Sequence, residues 1–281
     1  MNQNITKAIL PLAALSCVHG KMLAQDAARP NILYIMCDDH AMQAISAYGS
    51  PISKLAPTPN IDCLAQRGML FRNCFVENSL STPSRACLMT GLYSHQNGQR
   101  QLAEGIDTTK TFVPELMQKA GYETGIVGKW HMMCRPKGFD YYYILDGQGK
   151  YYNPNFCTTG NYGKYKQEMG YATTLTTQHA IEFLDHRQKD KPFCLYVHHK
   201  APHRNWFAEP KHIGMYDGVD FPLPKTFWDN YENRGSAAKT QKMNIEKDME
   251  LILDFKIPEL LDTSDVESMA SYAGLMGELG R

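Results

Sequence analysis

The sequence predicts an α/β protein, with a mostly parallel sheet sandwiched by helices. Three observations carry this expectation. Short apolar, β-branched runs at residues 31–37, 122–128 and 192–199 read as buried strands. Segments that read as helices lie between them, at 57–68, 111–121 and 172–187. Each apolar run also ends in ionisable residues: Asp38-Asp39-His40, Lys129-Trp130-His131 and Lys200-Ala201-Pro202-His203. In open α/β sheets that carboxyl edge is where ligands bind.

In chain order, Lys7 followed by the apolar run 8–18 fits a signal-peptide core, so residues 1–24 are expected to be a signal with cleavage near Gly20 or Ala24. That implies export, to a bacterial periplasm. Ala14-Leu15-Ser16-Cys17 faintly resembles a lipoprotein box, which keeps lipid anchoring as a second option. No second long apolar run occurs, and no transmembrane segment is expected in the mature chain. Residues 30–281 are expected to form the working domain.

The strand at 31–37 delivers Asp38 and Asp39. Adjacent carboxylates at the end of a buried strand need positive charge nearby. Hard oxygen donors suit Ca²⁺, or second to it Mg²⁺, over zinc. Residues 60–67 read as a helix capped by Asn60 or Thr58 and closed at Gly68, and residues 69–76 as a further strand. Thr82 reads as an N-cap and Pro83 as the first residue of a helix that Gly91 stops. Ser81 would then lie just outside a helix N-terminus, with Arg85 in the first turn. A hydroxyl, a helix N-terminus and a guanidinium on one point suit a tetrahedral oxyanion.

Strand alternation places Lys129 and His131 on one side, two cationic groups suited to an anion. Residues 138–172, rich in Gly, Tyr and Asn, read as a long irregular stretch of the kind that carries specificity. Among the polar residues ending the run at 192–199, His203 is the site candidate, with His198, His199 and Lys200 assigned to packing or the rim. After His203 the chain reads as loop through Pro224. Residues 241–261 have mixed charge and helical spacing.

Composition narrows the partners. The 281 residues carry 29 basic and 29 acidic side chains, which argues against a nucleic-acid or anionic-membrane binder acting through a global field. The 16 tyrosines are compatible with stacking on sugar rings. Of the eight cysteines none forms a Cys-x-x-Cys pair, so neither a zinc site nor a disulfide framework is expected. Cys37, Cys87 and Cys194 lie in apolar runs and read as small buried thiols.

Several of these segments together resemble the sulfatase family. The stretch Ser81-Thr82-Pro83-Ser84-Arg85 through Thr90-Gly91 resembles its Cys/Ser-x-Pro-x-Arg signature. The Asp38-Asp39 pair, the Gly128-Lys129-Trp130-His131 run, the Ala201-Pro202-His203 turn and the segment from Thr58 to Gly68 match further parts of the pattern. The resemblance implies an alkaline-phosphatase-like fold. It implies that Ser81 is oxidised to formylglycine by a serine-type sulfatase-maturating enzyme. It also implies that Asp38, Asp39 and Ser81 face a divalent metal, and that Arg85, Lys129, His131 and His203 bind and process the sulfate ester. The wording of residues 138–172 is similar to bacterial sulfatases acting on 6-sulfated N-acetylglucosamine, so a sulfated carbohydrate is the expected substrate.

The family supplies a further metal-binding Asp from a later Ser/Thr-Asp-x-Gly turn, followed by a second sulfate-binding lysine. Thr263-Ser264-Asp265-Val266 has neither the preceding strand nor the glycine. The chain thus reads as an N-terminal portion with an incomplete sheet and little or no activity alone. Two rivals stand beside this reading: a phosphatase or phosphodiesterase of the same superfamily using unmodified Ser81, and a non-catalytic remnant that binds sulfated glycans.

Overall fold

The computed structural model describes residues 29–256 and, beyond them, Ser264, Met269, Tyr272 and Met276. The expected signal segment 1–24, residues 257–261 of the expected helix, and Thr263, Asp265 and Val266 lie outside the described residues. The described residues from Asn31 onward form one compact unit.

Its centre is a six-stranded sheet. The strands are β1 (Ile32–Met36), β2 (Glu123–Gly128), β3 (Tyr141–Leu145), β4 (Asn155–Thr158), β5 (Lys166–Gln167) and β6 (Phe193–His198), in the order β1-β6-β2-β3-β4-β5. β1, β6, β2 and β3 run parallel, and β4 and β5 add antiparallel to the far edge. The helices are α1 (Pro59–Arg67), α2 (Ser81–Thr90), α3 (Ser94–Asn97), α4 (Val113–Lys119), α5 (Ala172–His186) and α6 (Ser236–Thr240). The architecture is the expected mixed α/β sheet flanked by helices, and the sheet is not closed.

β6 shows why. Phe193, Leu195 and Val197 point to one face, where they meet Val127 of β2 and Ala180 and Phe183 of α5. Cys194 and Tyr196 point to the other, among Ile126, Tyr142 and Ala86 and Met89 of α2. A strand apolar on both faces fits only between two helical layers. α5 supplies one layer because Leu175, Thr176, His179, Ala180 and Phe183 recur at helical spacing and are buried.

Five expectations are corrected. Among the described residues β1 pairs with β6 alone, and Leu33 and Ile35 stay about half exposed, so there it is an edge strand and not a buried one. The apolar run is real; the cover over it is missing among the described residues. Residues 69–76 form no strand: among the described residues no neighbour offers them a ladder, and Met69, Phe75 and Val76 are largely exposed. Residues 138–172 are not irregular throughout, because they contain β3, β4 and β5. Tyrosine suits a half-buried pleated strand, and Tyr141-Tyr142-Tyr143-Ile144-Leu145 is one. Residues 241–256 form isolated turns, since the carboxylates of Asp248 and Asp254 bond the backbone N–H of Asn244 and Glu250 and compete with a continuous helix. Among the seven described cysteines all are free; Cys194 is buried as expected, Cys87 is half-buried and Cys37 is exposed beside the open edge.

Candidate active site

The site is assembled at the carboxyl ends of β1, β6 and β2, which are neighbours in the sheet. Met36, His198 and Gly128 share a rung, so the three following segments leave the sheet side by side. Backbone bonds then tie them together: His199 N–H donates to Met36 O at 2.8 Å, Lys129 N–H to His198 O at 2.7 Å and Asp38 N–H to Ala201 O at 3.1 Å. Gly128 is required for this closure. Its φ is +93°, and a Cβ there would sit 2.1 Å from His198 O.

α2 begins earlier than expected. Leu80 is its N-cap, its carbonyl accepting from Ser84 N–H at 2.8 Å, while Asn78 Oδ1 holds Leu80 N–H at 3.0 Å. Thr82 is therefore not the cap and Pro83 is not the first helical residue. Ser81 is the first residue of the helix instead of lying outside it. Its backbone N–H still belongs to the unpaired first turn. With Ser81 inside the helix, Arg85 is its i+4 neighbour on the same face, and Arg85 Nε donates to Ser81 Oγ at 3.4 Å.

Arg85, only 2% exposed, is the hub. Its Nη1 donates to Lys129 O at 2.8 Å and lies 3.0 Å from His198 Nδ1, and its Nη2 lies 3.4 Å from Asp38 Oδ1. Lys129 is fully buried and donates to Asp38 Oδ2 and Gln148 Oε1. Burial pushes the Lys129 ammonium down to about 8, against the pull of Asp38. For Asp38, burial acts to raise the carboxyl, but Lys129 and Arg85 outweigh it and hold it below the usual range. Burial, reinforced by Lys129 and Arg85, pushes His131 down to about 4, so its ring is neutral at pH 7. His198 is driven well below its ordinary value by burial and then by Arg85.

His131 approaches α2, its Nδ1 being 3.4 Å from Thr82 Oγ1. His203 lies beside Asp39. Its Nδ1–H donates to Arg204 O, which leaves Nε2 facing Asp39 Oδ2 at 3.5 Å. Asp39 is the exposed member of the carboxylate pair. Ser81, Asp38, Asp39 and Arg85 line one cleft of about 330 Å³, joined by His40 and Ser84.

Of the seven residues singled out from the sequence, Asp38, Ser81, Arg85 and Lys129 are joined by direct side-chain contacts, Asp39 and His203 form a separate pair, and His131 touches Thr82 of α2. Three others were missed or undervalued. Gln148 reaches Lys129 from the loop after β3, and only the flanking Gly147 and Gly149 hinted that the backbone turns there. His198 contacts Arg85 directly, and Lys200 is 3% exposed next to Tyr151, so neither is a rim residue.

Asp38 and Asp39 are hard oxygen donors at the cleft, of the chemistry a divalent cation takes. Among the described residues no group of three or more histidine, cysteine or acidic side chains is placed to hold a metal, so these two supply only part of a coordination shell.

The sulfatase family pattern matches residues 30–279. The chain belongs to the sulfatase family. It is 44% identical over 263 residues to an N-acetylglucosamine-6-O-sulfatase of Bacteroides thetaiotaomicron, covering 92% of this chain and 46% of that protein. It is 31% identical over 265 residues to the human N-acetylgalactosamine-6-sulfatase, covering 82% and 48%. A solved structure in complex with its substrate, D-glucosamine-2-N,6-O-disulfate, superposes with a TM-score of 0.79 at 43% identity, over 88% of this chain and 49% of that one. The chain spans about half the length of the curated relatives it matches. The family generally uses formylglycine and a divalent metal.

Proposed function

We propose that this chain carries the sulfate-binding and nucleophile-bearing half of a sulfatase acting on a sulfated glucosamine, with the sulfate ester on the 6-oxygen of N-acetylglucosamine as the favoured substrate. One observation carries the reading: Ser81, Arg85, Lys129 and the Asp38-Asp39 pair converge at the ends of adjacent strands, in the manner an anionic ester requires. The likeness to a relative that acts on N-acetylglucosamine 6-sulfate, and to one crystallised with a disulfated glucosamine, supports the choice of sugar.

Ser81 is the residue we assign to formylglycine, made by a serine-type maturating enzyme, and Asp38, Asp39 and Ser81 are those that would hold the cation, Ca²⁺ in preference to Mg²⁺. The aldehyde hydrate would supply the nucleophile and the cation would polarise the sulfate oxygens. The remaining work belongs to the side chains. Arg85 stays charged and directs its guanidinium at Ser81 Oγ, so negative charge developing there is stabilised in a low-dielectric site. Lys129 is mostly an ammonium at pH 7 and offsets charge between Asp38 and the bound anion. Neutral His131 offers one N–H to a sulfate oxygen. His203 has Nδ1–H committed to a carbonyl, so it is the imidazolium form, protonated on Nε2 beside Asp39, that delivers a proton from Nε2 to the departing sugar oxygen and is left as the neutral Nδ1–H ring.

Intact-mass analysis after co-expression with a serine-type maturase tests the first step: conversion removes two hydrogens from Ser81. A sulfate-release assay on 6-sulfated N-acetylglucosamine tests the second. An unmodified Ser81 together with phosphate-ester turnover would replace this reading by the phosphatase one. Export to a periplasm, with residues 1–24 removed, belongs to the same proposal, and mass spectrometry of the mature N-terminus checks it.

A further inference from the structure

His203 sits on a loop whose backbone is held by side chains from outside it. Three tyrosine hydroxyls from outside it donate to its carbonyls: Tyr151 to His203 O at 2.6 Å, Tyr171 to Phe207 O at 2.7 Å and Tyr152 to Ala208 O at 2.5 Å. On the other flank Arg204 grips the buried carboxylate of Asp254 with two nitrogens. Tyr151 is the member that touches residue 203 itself.

Tyr151 is in turn fixed. It is 1% exposed, its carbonyl accepts from Ala172 N–H at 2.7 Å at the start of α5, and Tyr152 bridges to Tyr171. Its ring stacks on Tyr171 with centroids 6.0 Å apart and lies under the Lys200 ammonium at 4.9 Å. A continuous line of contacts therefore runs from α5 through Tyr151 to the main chain of His203, and from there to the imidazole that faces Asp39. Removing the hydroxyl would leave a half-buried carbonyl without its donor and free the peptide that carries the ring.

We propose that Tyr151 is a positioning residue for His203: its hydroxyl fixes the peptide of residue 203 and so the direction in which the imidazole Nε2 enters the site. This rests on the role given to His203 above. Tyr151 touches no reacting atom, and its effect passes through the loop. The bland rival is core packing by the ring alone, and Tyr151→Phe separates the two, because it keeps the ring, the stacking and the Lys200 contact.

The test has two readouts. In the chain labelled with ¹³C-histidine, the His203 ring Cε1 resonance is assigned by its loss in His203→Gln. Tyr151→Phe should shift or broaden that resonance and leave those of His95 and His186 in place, whereas Tyr152→Phe, which frees only the more distant Ala208 carbonyl, should leave it unmoved. In maturase-treated protein acting on 6-sulfated N-acetylglucosamine, Tyr151→Phe should lower kcat by about 10-fold with KM changed less than about 2-fold, as expected for a misplaced proton donor. An unmoved His203 resonance in Tyr151→Phe overturns the proposal, as does unchanged kcat, and so does a Tyr151→Phe chain that fails to fold, which would make the hydroxyl architectural. Where the wild-type chain turns over no sulfate ester, as expected of an N-terminal portion, the resonance alone decides the role of Tyr151, and the functional reading is decided separately by conversion of Ser81.

Discussion

The two flanks of the site are built differently. On the β6–β2 flank, Lys129, His198 and Arg85 are all at most 2% exposed, behind strands buried on both faces. On the β1 flank the strand lies at the sheet edge, Leu33 and Ile35 are 49% and 53% exposed, and Asp39 is open to solvent. The cationic wall is thus preorganised by burial. The carboxylate wall is tied to it by the β1–β6 ladder and by the lock of Asp38 onto Lys129 and Arg85. The backbone ladder and charge pairing, more than side-chain cover on the outer side of β1, join the two flanks.

The largest expected effect follows from that lock. Asp38→Ala leaves Lys129 and Arg85 buried beside each other without their counter-charge, and breaking such a pair costs about 3–5 kcal/mol. Asp39→Ala removes an exposed carboxylate from His203 and should cost under about 1 kcal/mol. Urea unfolding of the two variants compares the flanks directly, and equal losses would dissolve the distinction. Next comes Gly128→Ala, which drives a methyl into His198 O at a φ of +93° and should cost about 3 kcal/mol by strain and overpacking. The same measurement checks it.

The pH dependence should come from the buried flank. His131 titrates near 4 in the fold, below its ordinary value of 6.5. Between those values the unfolded chain binds more protons than the folded one, so stability rises with pH there and falls on acidification. Asp38, held low by Lys129 and Arg85, loses its contribution in the same direction as pH drops through its folded value. With allowance for solvent screening, His131 should account for about 1–2 kcal/mol between pH 6.5 and 4. His131→Gln should flatten that part of the curve, and an unchanged profile would move the effect elsewhere.

What the sequence shows and what it hides divides along the same line. The ends of β1, β2 and β6 are legible because an apolar run followed by ionisable residues is a local pattern, and the parallel sheet turns it into a shared edge. Ser81 and Arg85 are legible as a pair because helical spacing alone puts them on one face. The start of α2 was misplaced by two residues, since Asn78 sets it from outside the helix. β3 and β4 were hidden by the glycines and asparagines around them. The exposure of β1 is invisible from Ile32 to Met36, because burial of an edge strand depends on what lies beside it and not on its own residues. Gln148 and Tyr151 act on Lys129 and His203 across distances in the chain that no spacing rule spans.

The smallest expected effect probes that last point most directly. Ile35 and Val197 share a rung of the sheet, one on the open strand and one on its covered neighbour. Val197 is 4% exposed, Ile35 is 53% exposed, and a change to Thr keeps the β-branched shape in both. Val197→Thr buries a hydroxyl among apolar neighbours and should cost about 1–3 kcal/mol. Ile35→Thr places its hydroxyl in water and should change stability by less than about 0.5 kcal/mol. If the two substitutions cost the same, the outer side of β1 is covered in solution, and the carboxylate wall is then as firmly packed as the cationic one.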